Sequence, residues 1–317
     1  MTAPAAARNL CAAVPVRPDV VVLLNSRAGR RDPAVEEAVA AAFEAAGCDA
    51  AIQITDGMRI AADCSNALKN GARVLVAGGG DGTVSSVAAA LVGRNAALGV
   101  LPLGTLNHFA KDVGLPLDID AAARVIAAGR TTCVDVGEVN GRPFINNSSI
   151  GLYARLVAER KERERVGLSK WIAHGVAAVR VWSRYYRRLR VTLRGNGVDR
   201  RARTPFVFVG NNEYQLSGFE LGGRQRLTGG SLHVCMAPGM TRAGVVRMIV
   251  AAVFGRIHTI HGLESFTATE FTLDAGRRLL EVSLDGEVLI MANPLEYRIR
   301  PGALRVIVPA AIPTGES

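Results

Sequence analysis

With 317 residues, 49% of them apolar and 21% charged, the chain is longer than a usual single domain and can fill two buried cores. Its five cysteines are scattered without a CxxC pair, and no apolar run reaches the roughly 18 residues of a membrane span, which excludes a zinc ribbon, a disulfide framework and a spanning helix. The formal charge of +10 is local: residues 155–203 hold 15 Lys or Arg against four acids, so one zone attracts anionic partners while the remainder is near neutral.

Residues 1–16 lack a sustained apolar stretch and read as a flexible lead-in rather than a secretory signal. The continuous Val/Leu run at 20–24 predicts a buried parallel strand. Val35, Val39 and Phe43 recur at i, i+4 and i+8 and predict a helix over 33–46. A strand over 51–55, a helix over 58–69 and a strand over 73–77 follow. Next come a glycine turn, an Ala-rich helix over 84–92, and a strand over 98–101 that ends at Pro102. This alternation predicts a doubly wound parallel sheet with helices on both faces.

From about Thr132 the texture changes to short strand-like segments separated by turn residues. They fall at 134–139, 143–148, 189–193, 206–209, 231–236, 271–273, 280–284 and 287–291, and predict an antiparallel β-sandwich. Helical insertions are expected near 153–188 and 240–258. Residues 297–308 alternate around Pro301-Gly302 and are expected to return to the first domain. The expected organisation is an α/β domain over 17–133 plus 297–312, and a sandwich over 134–296.

The strand at 73–77 runs into Gly78-Gly79-Gly80-Asp81-Gly82-Thr83. Glycines let backbone approach a ligand closely, and the N-terminus of the following helix offers unpaired N–H groups to phosphate. Thr83 is placed either to cap that helix or to bond a phosphate oxygen. Asp81 would repel phosphate unless it orients a metal, a water or a hydroxyl. The spacing fits neither GxxxxGK[ST] nor GxGxxG. A second turn, with Gly104, Thr105 and Asn107, and a third, with Asn25, Ser26 and Gly29, end neighbouring strands at the same sheet edge, where nucleotides bind in such folds.

Taken in order, Asn25-Ser26-Arg27-Ala28-Gly29, Gly79-Gly80-Asp81-Gly82-Thr83, Pro102-Leu103-Gly104-Thr105-Leu106-Asn107, the stretch from Asn146 to Gly151 and Asp285-Gly286-Glu287 resemble the diacylglycerol kinase catalytic-domain family. That family groups bacterial soluble lipid kinases with relatives acting on sphingosine and ceramide, and it is related to the NAD kinases. The resemblance implies an NAD-kinase-like nucleotide domain, a β-sandwich domain, an active site in the cleft between them, and Mg²⁺-ATP as phosphoryl donor. It implies nucleotide contacts from the three glycine-containing turns, Asp285 as general base, and Glu287 as support for the base or the metal; Asp81 is the rival base. His108 stands where most relatives carry Asp. The stretch from Arg226 to Val234 has none of the aspartates that hold a structural Mg²⁺ in relatives.

Within the basic zone, Leu168, Trp171, Ile172, Val179, Trp182 and Tyr186 fall on one side of a predicted helix, with Lys170, Arg184 and Arg188 opposite. That pattern suits docking to an anionic membrane surface from the cytoplasm. Nucleic acid is not expected, because no nucleic-acid motif accompanies the charge. The functional expectation is transfer of phosphate from ATP to a lipid alcohol, diacylglycerol by default, with ceramide or a sphingoid base open. An NAD-kinase-type metabolite kinase and a non-catalytic nucleotide- or lipid-binding regulator are the alternatives, and a homodimer is left open.

Overall fold

The computed structural model describes residues 20–26, 33–152, 154, 188–213, 227–253 and 262–310. Gly29, the helix read over 168–186 and most of the basic zone lie outside them. The chain divides into two compact units, Met1–Val136 with Arg300–Ser317, and Gly137–Ile299.

The first unit is built on β1 (Val20–Asn25), β2 (Ala50–Thr55), β3 (Val74–Gly79), β4 (Ala97–Pro102) and the end of β16 (Leu295–Ile307). The sheet order is β2-β1-β3-β4-β16, all parallel. Helices α1 (Pro33–Ala45), α2 (Ile60–Lys69), α3 (Asp81–Leu91), α4 (His108–Asp112) and α5 (Ile119–Ala128) connect the strands. Phe43 of α1 and Ile126 of α5 pack on Val22, Val74 and Val76. The alternate residues Leu23 and Leu75 point to the other face, where α2 and α3 meet β1 and β3. The doubly wound expectation is therefore correct.

The second unit is antiparallel. One sheet has the order β12-β11-β10-β7-β14-β15, formed by β7 (Asn147–Gly151), β10 (Phe206–Asn211), β11 (Leu232–Met236), β12 (Glu264–Ala268), β14 (Leu279–Leu284) and β15 (Glu287–Ala292). Opposite lie β8 (Leu189–Gly195), β9 (Val198–Thr204), β13 (Glu270–Asp274) and the first part of β16. β5 (Thr131–Val139) pairs with β16 and with β6 (Arg142–Phe144). The core holds Ile150, Val207, Val209 and Val282 from the first sheet and Leu193, Phe271 and Tyr297 from the second. Tyr297 stacks on Phe271 at 4.9 Å and meets Ser148 Oγ at 2.9 Å through its hydroxyl. This is the expected sandwich. Helix α6 (Arg242–Val253) falls inside the second expected helical insertion.

Several details depart from the sequence reading. β3 runs through Gly79, and α3 starts at Asp81 rather than Val84, which leaves Gly80 alone as the N-cap. The strand read over 143–148 is two, β6 and β7, separated at Ile145-Asn146. Cys133 is disulfide-bonded, although the scattered spacing argues against disulfides; scattered positions do not limit which cysteines the fold brings together. Its partner lies outside the described residues. Cys48, Cys64 and Cys235 are free thiols. Burial pushes Cys64 and Cys235 up to about 11, with the Asp63 carboxylate a further cause at Cys64.

Candidate functional site

Three strand-end turns of the first unit are tied to one another. Asn25 closes β1, and its Nδ2 donates to Thr83 Oγ1 at 2.8 Å. Thr83 is buried in the first turn of α3, so it does not cap that helix; its hydroxyl accepts from Asn25 and keeps its own proton for an acceptor. Ser26 N donates to Thr55 O at 2.8 Å, which fixes the start of the β1 turn on β2. Leu103 N donates to Gly79 O at 3.2 Å. Gly80 and Gly104 approach so closely that a Cβ on Gly104 would stand 2.5 Å from Gly80 Cα, a separation no side chain can occupy.

Asn107 braces its own turn. Its backbone is left-handed, with φ of 51°, and its side chain is buried. Oδ1 accepts from Gly104 N at 3.0 Å, and Nδ2 donates to Pro102 O at 3.1 Å and Gly104 O at 2.8 Å. Asn107 thus holds the turn that carries Gly104, while Thr105 at its tip is exposed. His108 opens α4 and is half-buried.

Gly78 and Gly79 are buried at the end of β3, Gly80 is the N-cap that follows, and Gly82 is exposed on the first turn of α3. Asp81 is the first helical residue, and its Oδ1 is buried with no hydrogen-bond partner among the described residues. Ser85, four residues on and therefore on the same helix face, has a buried Oγ in the same condition. Sequence reading passed over Ser85; its i, i+4 spacing from Asp81 was the available signal. An orphaned carboxylate oxygen beside a helix N-terminus fits a divalent cation and the anion that the cation accompanies.

In the second unit, Asp285 and Gly286 have φ of 46° and 83° and form the two-residue turn that joins β14 to β15. Positive φ at both central positions is what a tight hairpin with the right twist requires. The Asp285 carboxylate also reaches residues far away in sequence. Oδ2 accepts from Ile145 N at 2.9 Å, and Oδ1 accepts from Asn146 N at 2.8 Å and Asn147 N at 3.0 Å. Asn211 Nδ2 donates to Ile145 O at 2.9 Å and completes the support of this bend. Glu287 is exposed at the first position of β15.

The first unit is a doubly wound sheet with a glycine turn ahead of α3, and it is followed in the chain by a β-sandwich. Residues 19–139 match the diacylglycerol kinase catalytic domain, and residues 149–308 match the YegS C-terminal NAD kinase beta sandwich-like domain. The chain belongs to the diacylglycerol kinase catalytic-domain family, with a YegS-type second half. It is 33% identical over 308 residues to a protein of Pseudomonas aeruginosa PAO1 named "Probable lipid kinase YegS-like", covering 93% of this chain and 95% of that one. A protein of Klebsiella pneumoniae strain 342 with the same name is 28% identical over 305 residues, covering 93% and 98%. A solved diacylglycerol kinase structure from Bacillus anthracis str. Sterne has a TM-score of 0.65 at 19% identity, covering 94% of this chain and 99% of that one. At that identity the likeness is one of fold. The family read from the five motifs is thus the right one.

Proposed function

We propose that this protein is an ATP-dependent lipid kinase, which transfers the γ-phosphoryl group of ATP to a lipid hydroxyl, diacylglycerol before ceramide or a sphingoid base. The observation that carries the reading is the β3–α3 turn. It combines a glycine N-cap, a Thr83 hydroxyl oriented by Asn25, and an unpaired Asp81 oxygen, in a chain of a lipid kinase family. Backbone N–H groups at the α3 terminus and the Thr83 proton bind phosphate oxygens. A bound Mg²⁺ supplies charge neutralisation on the phosphates, and Asp81 is the side chain that fits it.

In the transfer, the lipid oxygen forms a bond to the γ-phosphorus, the bond to the ADP oxygen breaks, and the hydroxyl proton passes to a carboxylate. We assign that carboxylate to Asp285, whose orientation three backbone amides fix, with exposed Glu287 beside it in sequence. We further assign the protein to the cytoplasm, docked peripherally on an anionic membrane. The described part of the basic zone supports this, since Arg190 and Arg203 stand directly opposite each other on β8 and β9, both exposed. Like charges in that position destabilise a sheet unless an anion is shared between them. Among the described residues no helix is long and apolar enough to cross a membrane.

Incubation with labelled ATP and a panel of dioctanoylglycerol, ceramide, sphingosine and NAD tests the reading. Labelled lipid phosphate is expected. Label only in NADP, or in no product, overturns it.

A further inference from the structure

Four strands, β2, β9, β12 and β15, end the two sheets, and each has one backbone edge with no strand beside it among the described residues. An open edge is a template for another chain, and proteins protect theirs with charge, proline or bulges. β9 carries Arg200, Arg201 and Arg203, and β12 starts at Glu264, which pairs with Arg200. β2 has no charge of its own, but Asp49 and Asp56 stand at its ends. β15 has no such protection along its length. After Glu287 it reads Val-Leu-Ile-Met-Ala, in unbroken register with β14.

Alternation sorts the side chains of β15. Leu289 and Met291 turn onto the sandwich core, while Val288, Ile290 and Ala292 lie on the outer face, where Ile290 is 72% exposed. Leu279 of β14 stands opposite Ala292 on that face and is 58% exposed. The backbone alternates too. Glu287 pairs with Leu284 across the hairpin turn, and Asn293 N donates to Arg278 O at 3.1 Å. In that ladder Val288, Ile290 and Ala292 point their N–H and C=O groups away from β14. Asn140 Nδ2 donates to Ala292 O at 3.0 Å and covers the edge there. The open stretch of edge is therefore Val288 to Ile290.

An apolar strip beside outward N–H and C=O groups fits another β-strand; a lipid surface supplies no strand to pair them. The charges of the hairpin select which strand. Asp285 and Glu287 make its turn acidic, and exposed Arg277 and Arg278 make its other end basic. Antiparallel pairing of two copies sets each acidic end beside a basic one, whereas β2 paired in this way would set Asp49 beside Asp56. We propose that the chain forms a two-fold dimer by pairing β15 with β15 of a second copy. Because Asn140 covers Ala292, Leu289 falls on the axis. Val288 and Ile290 then exchange backbone hydrogen bonds with Ile290 and Val288 of the partner subunit, and the two six-stranded sheets become one. Arg190 and Arg203, on the other sheet of the sandwich, stay uncovered. The inference goes beyond the kinase reading and does not rest on it.

Sedimentation velocity of the full chain tests the association. A dimer is expected, and Ile290→Lys, which sets a charge from each copy into the strip, is expected to raise its dissociation constant at least about tenfold. The side chain is exposed, so circular dichroism is expected to show the native fold. Cross-linking tests the register. Val288→Cys and Ile290→Cys, made in separate chains and mixed, face each other and are expected to give an oxidised dimer on a non-reducing gel. Either variant alone is not, because like positions lie out of register. A monomeric native chain, a dimer that Ile290→Lys leaves intact, no cross-link in the mixture, or an equal cross-link from one variant alone overturns the proposal. A monomer whose binding to phosphatidylglycerol vesicles is lost in Ile290→Lys overturns it too, and makes the strip a membrane contact.

Discussion

The Asn25 side-chain amide donates to the Thr83 hydroxyl across 2.8 Å, and so locks the end of β1 to the first turn of α3. Neither residue is near the other in sequence, and the bond sets which way the Thr83 proton points. Asn25→Ala and Thr83→Val are each expected to raise the KM for ATP about fivefold. A double-mutant cycle should show a coupling of about 0.5–1.5 kcal/mol, and additive effects would show that the bond does not serve nucleotide binding.

Gly104→Ala places a methyl group 2.5 Å from Gly80 Cα, a backbone atom with little freedom to yield, and 2.8 Å from Asn107 Oδ1. The turns must move apart, so ATP binding is expected to fall by at least about tenfold, an overpacking cost of about 1–3 kcal/mol. Gly57→Ala is the control, because a Cβ there meets nothing within 4 Å. Calorimetric titration with a non-hydrolysable ATP analogue separates the two.

The two candidate carboxylates should respond differently to amidation. In Asp285→Asn, an NH₂ group must face at least one of the backbone amides that the carboxylate now accepts from, so stability is expected to drop by about 1–3 kcal/mol as turnover is lost. In Asp81→Asn the orphaned Oδ1 has no bond to lose, and turnover should fall without a drop in melting temperature. Full turnover in Asp285→Asn would remove it as the proton acceptor.

Arg190 and Arg203 repel across the β8–β9 pair. Changing both to Gln is expected to weaken sedimentation with phosphatidylglycerol vesicles and to flatten its salt dependence, with stability unchanged or raised by about 0.2–1 kcal/mol. Vesicle binding that ignores the change would remove this face as a docking surface.

The sequence carried the first unit well, because the strands at Val20 and Val74 are continuous apolar runs and their glycine turns follow at once. It carried the edges of the sandwich poorly. β9 reads Val-Asp-Arg-Arg-Ala-Arg-Thr, with only its end residues buried, so its alternation is masked by arginines at an edge. β12, with two exposed positions at its start, was missed for a similar reason. Helix α5 was passed over although Asp118 caps it through Ala121 N and Gly129 ends it in a left-handed conformation. The break at Ile145-Asn146 could not be read locally at all. Its cause is a carboxylate about 140 positions away, and the same bond shows that the Asp-Gly pair at 285–286 is both a tight turn and a clamp.

β16 has a consequence for how the chain is made. Its last residues, Arg305 and Val306, lie beside Ala97 and Leu98 in the parallel sheet of the first unit, while its first residues pair with β13 in the second. A ribosome releases β1 to β4 early, yet the strand that closes their exposed edge arrives about 200 residues later, after the whole sandwich has been synthesised. Until then β4 presents an unpaired backbone edge, the kind of template on which chains aggregate. The α/β unit, although first in the sequence, is the last to be completed.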